Sequence, residues 1–241
     1  MADDLSKDKG IVPLSDEEGV RKILTDSVFG LWKVVNNLTR LRPIKREHYC
    51  VSIFGSARAK PGSFAYEQVK QISKDLANMG CDIITGGGPG LMQAANEGAS
   101  EGGAPHRSRS VGIRVELPFE QSVNPFVSEA YEHETFFSRL HHFALASDAF
   151  IIVPGGIGTT LEATMVWQLI QVGHINKDTP LIFVGEMWEE FLGWARNQFL
   201  PNKLVNPEDL EIPHWVNTAE EAVAILQKYQ EDWRIEEQLQ G

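Results

Sequence analysis

The stretch FIIVPGGIGTTLEATM, residues 150–165, limits the fold more than any other part of the chain. Four apolar residues, Phe150 to Val153, run without a break into Pro154, two glycines, Ile157, a third glycine and two threonines. An apolar run with no polar face makes a strand that must be covered on both sides. A glycine turn leading at once into a helical pattern carries the chain back over one of those sides. The same grammar recurs along the chain. YCVSIFG ends in Gly55, and residues 64–79 then place Ala65, Val69, Ile72, Leu76 and Met79 on one helical face, with Gly80 as its stop. DIITGGG leads into a helix in PGLMQAANEGASEGG, with Pro89 near its first turn. SVGIRVEL is a third strand, PFVSEAYEHE holds a short fourth, and residues 135–146 are helical. DAFIIVPGG is the fifth strand, residues 159–172 the helix after it, TPLIFVG the sixth strand and EMWEEFLGWARNQF the next helix. This alternation predicts an α/β fold, a Rossmann-like doubly wound parallel sheet with helices on both faces.

Extra helices flank that core. Residues 1–15 are polar and read as a flexible N-terminus. Residues 16–42 read as a helical extension, with Val20, Ile23, Leu24, Val28, Leu31, Val34, Val35 and Leu38 at helical spacing. Residues 43–241 read as a single nucleotide-binding domain closed by a helix from Ala219 to Gln238. A net charge of −11 argues against coating nucleic acid, which favours a basic surface. It leaves room for a small anion, because backbone amides bind phosphate inside acidic proteins. Cys50 and Cys81 have no metal-like spacing and read as buried thiols in a reduced, cytoplasmic setting. No signal pattern or membrane-length apolar run is present in the sequence.

In a doubly wound sheet, ligands sit beyond the carboxyl ends of the strands, near the point where strand order reverses. Three loops at predicted strand ends carry unusual chemistry: FGSAR with Gly55 and Ser56, TGGGPGLMQAA, and PGGIGTTLE. In the second, Gly86, Gly87, Gly88 and Gly90 leave the backbone open to a ligand. In the third, Gly155, Gly156 and Gly158 make the turn, and Thr159 and Thr160 offer hydroxyls and capping potential. Tight turns alone also explain such glycines. Two such loops opening helices favour a phosphate site. Neither loop is a P-loop, and neither carries the dinucleotide fingerprint in its usual place, so a mononucleotide is favoured and no cofactor is expected.

PGGIGTTLE resembles the PGGxGTxxE signature of the LOG family, the cytokinin-activating phosphoribohydrolases once labelled possible lysine decarboxylases. GGGPGLMQAANEGA and FGSAR resemble that family's other segments, over residues 48 to 200. The resemblance implies a Rossmann-like homodimer that hydrolyses nucleoside 5′-monophosphates to a free base and ribose 5-phosphate. It assigns the catalytic pair to Glu162 and Arg139, the second in TFFSRLHHFALASDAF. The family's Lys after that arginine is replaced by Leu140, which removes one cation and bears on substrate preference.

Cleaving an N-glycosidic bond needs a stabilised oxocarbenium-like ribose, a water at C1′ and help for the departing base. A carboxylate below the sugar supplies the first two, and Glu162 reads as lying in the first turn after the phosphate loop. Helix-end complementarity is the plainer reading of Glu162, and a surface cation that of Arg139. His133, His141 and His142 fall within ten positions without zinc-like spacing. Met92 and Trp167 are candidates to line a base pocket. Nothing singles out a lysine for pyridoxal phosphate chemistry. The competing function is a non-hydrolytic nucleotide or cofactor carrier of the same fold. Nucleic-acid processing is disfavoured by charge.

Overall fold

The computed structural model describes residues 12–38, 47–103, 107–115 and 123–239. The segment expected to be flexible, 1–15, falls mostly outside them, as does the end of the predicted helical extension. The chain divides into two compact units, residues 1–44 and 45–241. In the first, helix α1 (Glu17–Leu38) starts at Asp16, whose Oδ1 accepts the Gly19 N–H at 3.0 Å. A side chain closing the third helical amide is the usual N-terminal cap.

The second unit is built on seven parallel strands: β1 (Tyr49–Phe54), β2 (Cys81–Thr85), β3 (Ser110–Val115), β4 (Glu129–His133), β5 (Ala149–Ile152), β6 (Leu181–Val184) and β7 (Pro213–Val216). Between and after them run α2 (Phe64–Asn78), α3 (Leu91–Gly102), α4 (Phe136–Ala146), α5 (Ile157–Gln171), α6 (Glu186–Phe199) and α7 (Ala219–Leu239). The sheet order is β4-β3-β2-β1-β5-β6-β7. Strand order therefore reverses between β1 and β5, and the crevice beyond their carboxyl ends is where a ligand is expected.

The pleat sorts the apolar runs onto two faces. Tyr49, Val51, Ile53, Ile83, Ile151 and Ile182 join α2, α3 and α7 in one core, while Cys50, Phe54, Ile84, Phe150, Ile152 and Phe183 join α4, α5 and α6 in the other. Successive side chains of a strand point to opposite faces, so each uninterrupted run feeds both cores. The doubly wound α/β architecture read from the sequence is present. Cys50 and Cys81 are buried, and burial pushes the Cys81 thiol up to about 12. Among the described residues no helix is long and apolar enough to cross a membrane.

Two local expectations change, at β7 and at the start of α5, and the ends of α2 and α3 become more exact. Strand β7 and the 3-10 turn before it (Pro207–Leu210) were not read from the sequence. PHWV carries a proline and a histidine, which fit a half-buried edge strand but not an apolar run. Pro89 lies outside α3, whose N-cap is Gly90. Met79 closes α2, and Gly80 follows at φ +87°. Helix α5 starts at Ile157, two residues earlier than expected.

Helices α2 and α3 approach closely because α3 presents Gly98 and Gly102, four apart on one face. A Cβ at Gly98 would sit 2.0 Å from the Lys70 carbonyl oxygen, and one at Gly102 2.3 Å from that of Lys74. Backbone cannot retreat as a flexible side chain can. Gly98→Val is therefore expected to destabilise the domain by about 3 kcal/mol, the upper range for overpacking. Urea unfolding checks this; a variant as stable as the parent contradicts the close-packing account.

Candidate active site

Three loops meet at the β1–β5 crevice, and Ser56 joins them. Its N–H donates to the Pro154 carbonyl at 3.0 Å, and its own carbonyl accepts the Leu91 N–H at 2.8 Å. Gly55 and Gly90 make this junction possible. A Cβ at Gly55 would lie 2.4 Å from Val153 Cγ2, and one at Gly90, which has φ +70°, 2.4 Å from the Ser56 carbonyl oxygen. These two glycines hold loop against loop, and the first amide of α3 is already occupied.

Most of the second glycine loop is likewise internal. The Gly87 N–H donates to Thr85 Oγ1 at 2.9 Å, and its carbonyl accepts the Asn124 N–H at 2.8 Å. Asn124 Nδ2 donates to the Gly88 carbonyl at 3.0 Å and to Asn96 Oδ1 at 2.9 Å. Gly86 is different. A Cβ there would stand 2.5 Å from Arg139 Nη2 and 2.6 Å from Met92 Sδ, so Gly86, Met92 and Arg139 share one wall.

The third loop presents free backbone. Gly155 packs on the buried Thr159, whose Oγ1 would be 2.2 Å from an added Cβ. Gly156 is the N-cap of α5 and no side chain caps it. The first helical bond runs from Thr160 N–H to the Gly156 carbonyl at 2.9 Å, where the Thr160 hydroxyl also donates at 3.0 Å. The amides of Ile157, Gly158 and Thr159 lie ahead of that bond, as the opening amides of any helix do. Apart from the adjoining residues and the helix's own backbone, no described atom lies within 4 Å of a Cβ built on Gly156 or Gly158. Thr159 and Thr160 are thus third and fourth in the helix rather than caps. Glu162 lies in the second turn rather than the first, which removes end-capping as its role.

Arg139 reaches Glu162 from α4. Its Nη1 donates to Glu162 Oε1 at 2.8 Å, its Nε donates to the Ile113 carbonyl at 2.9 Å, and its guanidinium lies 5.0 Å from the Phe143 ring centroid. The two side chains are only 11% and 12% exposed. A planar fork held at two edges and one face is fixed in orientation. Burial pushes the Glu162 carboxyl above its ordinary range, while the Arg139 charge and hydrogen bond pull it back. Among the described residues the second carboxylate oxygen, Oε2, carries no hydrogen bond. The arrangement is a desolvated, oriented carboxylate beside an open helix start, able to hold a water or hydroxyl near a bound anion.

Leu140, where the family's lysine was expected, is buried. Trp167 donates its indole N–H to the Asp209 carbonyl at 2.7 Å and lines a separate hollow with Leu192 and Trp215. The Ile113 carbonyl, Phe143 and Asn124 were not anticipated. Phe143 stands four residues after Arg139, the one signal that helical spacing offered.

A family model described as possible lysine decarboxylase matches residues 92–226, more than half of the chain. The chain belongs to this family, the LOG family. Family relatives include the cytokinin riboside 5′-monophosphate phosphoribohydrolase LOG of Oryza sativa subsp. japonica, 27% identical over 190 residues covering 78% of this chain and 74% of the relative. The pyrimidine/purine nucleotide 5′-monophosphate nucleosidase of Escherichia coli K12 is 32% identical over 126 residues, half of this chain but only 28% of that protein. Among solved structures, the molybdenum cofactor binding protein of Rippkaea orientalis has a TM-score of 0.56 at 18% identity, covering 76% of this chain and 97% of its own. At that identity the likeness is one of fold.

Proposed function

We propose that the chain hydrolyses the N-glycosidic bond of nucleoside 5′-monophosphates, AMP-like or modified purine nucleotides, to a free base and ribose 5-phosphate. The observation that carries this reading is the 2.8 Å Arg139–Glu162 pair enclosed beside the open start of α5. The names of the rice and E. coli relatives support the substrate class. The 5′-phosphate lies on the amides of Ile157, Gly158 and Thr159, where the helix dipole favours an anion. Glu162 is one turn further, about 6 Å along the axis, which sets its carboxylate beneath the sugar. Oε2 orients and deprotonates the attacking water and stabilises positive charge at C1′. Arg139 keeps the desolvated carboxylate ionised and aimed. Gly86 and Met92 form the wall nearest the guanidinium. Water is the only co-reactant, so no cofactor is invoked.

The working form proposed is a cytoplasmic homodimer or higher homo-oligomer that binds neither nucleic acid nor membrane. Phe136, Phe137, Ile157 and Leu161 support self-association. They are 50%, 75%, 92% and 50% exposed around the crevice, on the helices that carry Arg139 and Glu162. Sedimentation of the full chain reads this directly.

The deciding experiment is base release from a panel of nucleoside 5′-monophosphates, followed by chromatography. Adenine from AMP is the expected product. No base from any common nucleotide would overturn the hydrolase reading, and tight nucleotide binding without turnover would favour the carrier. Gly158→Val tests the phosphate position separately. The space at its Cβ is open, so the fold survives while the side chain covers the amides. Loss of a hydrogen bond to a charged group corresponds to roughly a tenfold to hundredfold rise in KM. An unchanged KM would place the phosphate elsewhere.

A further inference from the structure

His133 ends β4, and His142 lies three residues past Arg139 on α4. Their rings meet edge to face: His133 Nε2 and His142 Nδ1 are 2.9 Å apart, with the planes at 64°. Tyr131, two residues back on the same face of β4, packs against His142 at 4.8 Å between centroids. The β3–β4 register pairs Val115 with His133 and Ile113 with Tyr131. Ile113 is the residue whose carbonyl holds Arg139 Nε. Helix α4 is thus tied to this strand pair at two points one turn apart, by the Arg139 guanidinium on the Ile113 carbonyl of β3 and by the His142 imidazole on His133 of β4. No step of the proposed hydrolysis uses the histidines.

We propose that His142, through its hydrogen bond to His133, is a positioning residue for Arg139, holding α4 in the register that sets the guanidinium against Glu162. This rests on the reading that Arg139 and Glu162 carry the hydrolysis. A bond between two imidazoles needs one facing nitrogen with a proton and one without. It survives in a neutral pair or with one added proton, and it breaks when both rings are charged. Burial and then the Arg139 charge hold His133 below its ordinary value. Burial, then His133 and His141, do the same for His142. The other groups near the pair are Tyr131 on β4 and His141 on α4, while Glu132 and Arg114, paired at 3.7 Å, alternate onto the opposite face of their strands. Beyond Tyr131 stand Glu129, bonded to its hydroxyl, and Arg109. Burial and the Arg139 charge oppose double protonation near neutrality, so the tie holds there and fails in acid.

The test compares His142→Ala with His142→Asn in the full chain, because a carboxamide places a hydrogen-bonding atom where Nδ1 stands. Displacement of an oriented group by about 1 Å costs about a hundredfold in rate. His142→Ala should therefore lower kcat by about tenfold to a hundredfold with KM for AMP little changed, and Asn should restore it. A second readout does not depend on turnover. The Arg139 Nε–H, shielded by the Ile113 carbonyl, should exchange with solvent faster in His142→Ala and at the parental rate in His142→Asn, as read by nuclear magnetic resonance. Should the unaltered chain release no base, the hydrolase reading fails while the exchange measurement still judges the tie. Unchanged kcat and exchange in His142→Ala overturn the proposal, as does an Asn variant that regains thermal stability but neither kcat nor Nε–H protection.

Discussion

Glu162→Gln is expected to lower the rate of base release from AMP by about a thousandfold, within the usual range for a positioned acid–base group, while leaving AMP affinity nearly intact. The amide keeps the shape and still accepts the Arg139 Nη1 bond, but it cannot take a proton from water or stabilise a cationic sugar. Affinity should survive because the proposed phosphate position is one turn away. Stability is not expected to fall. Burial raises the Glu162 carboxyl in the folded chain, and a raised folded value contributes stability that is present in acid and lost as pH rises through it. At neutral pH the ionised form is a cost to folding that glutamine removes. The same shift sets the pH profile. A base must be ionised, so kcat/KM should fall on the acid side at a pH above the ordinary glutamate value of about 4.3. Isothermal titration and steady-state kinetics read both parts. A variant that still releases base at the parental rate would remove Glu162 from the chemistry.

Much of this site was legible because it sits where local signals are strongest. The run from Phe150 to Val153 could only be a strand covered on both faces, and the glycines after it could only be a strand-to-helix turn, so Glu162 was placed to within a turn. The error of two residues at the start of α5 arose because Ile157 and Gly158 look like loop, yet both belong to the first turn, where an uncapped glycine start is tolerated. The glycines of the second loop were harder to read. Gly55 and Gly90 are demanded by Val153 and Ser56 from other elements, and Gly87 by a strand that follows later in the chain; nothing local separates such close packing from an anion cradle. Contacts made through backbone are the least legible of all. The Ile113 carbonyl that orients Arg139 has no residue signature, and the His133–His142 bond joins a strand end to a helix that only the sheet register brings together.

Arg139→Ala should be nearly as damaging as the loss of the carboxylate, and its pH signature separates the two roles. Without the guanidinium, Glu162 keeps its desolvation but loses the charge and the hydrogen bond that offset it. Its carboxyl therefore moves further above the ordinary range, and the acid fall of kcat/KM shifts toward neutral pH. Above that limb the residual rate should still be lower by about a hundredfold, the scale for removing one preorganised electrostatic contact, because Oε2 is no longer aimed. Arg139→Lys divides these effects. An ammonium restores positive charge near Glu162 and should draw the acid limb back, but it lacks the planar fork that spans Ile113 and Glu162 together, so the rate recovers only in part. Combining Arg139→Ala with Glu162→Gln should add little to Glu162→Gln alone, since residues in direct contact are coupled. Fully multiplicative losses in the double variant, or an Arg139→Ala pH profile that superimposes on the parent, would mean that the pair seen at 2.8 Å in the free protein separates before the glycosidic bond breaks.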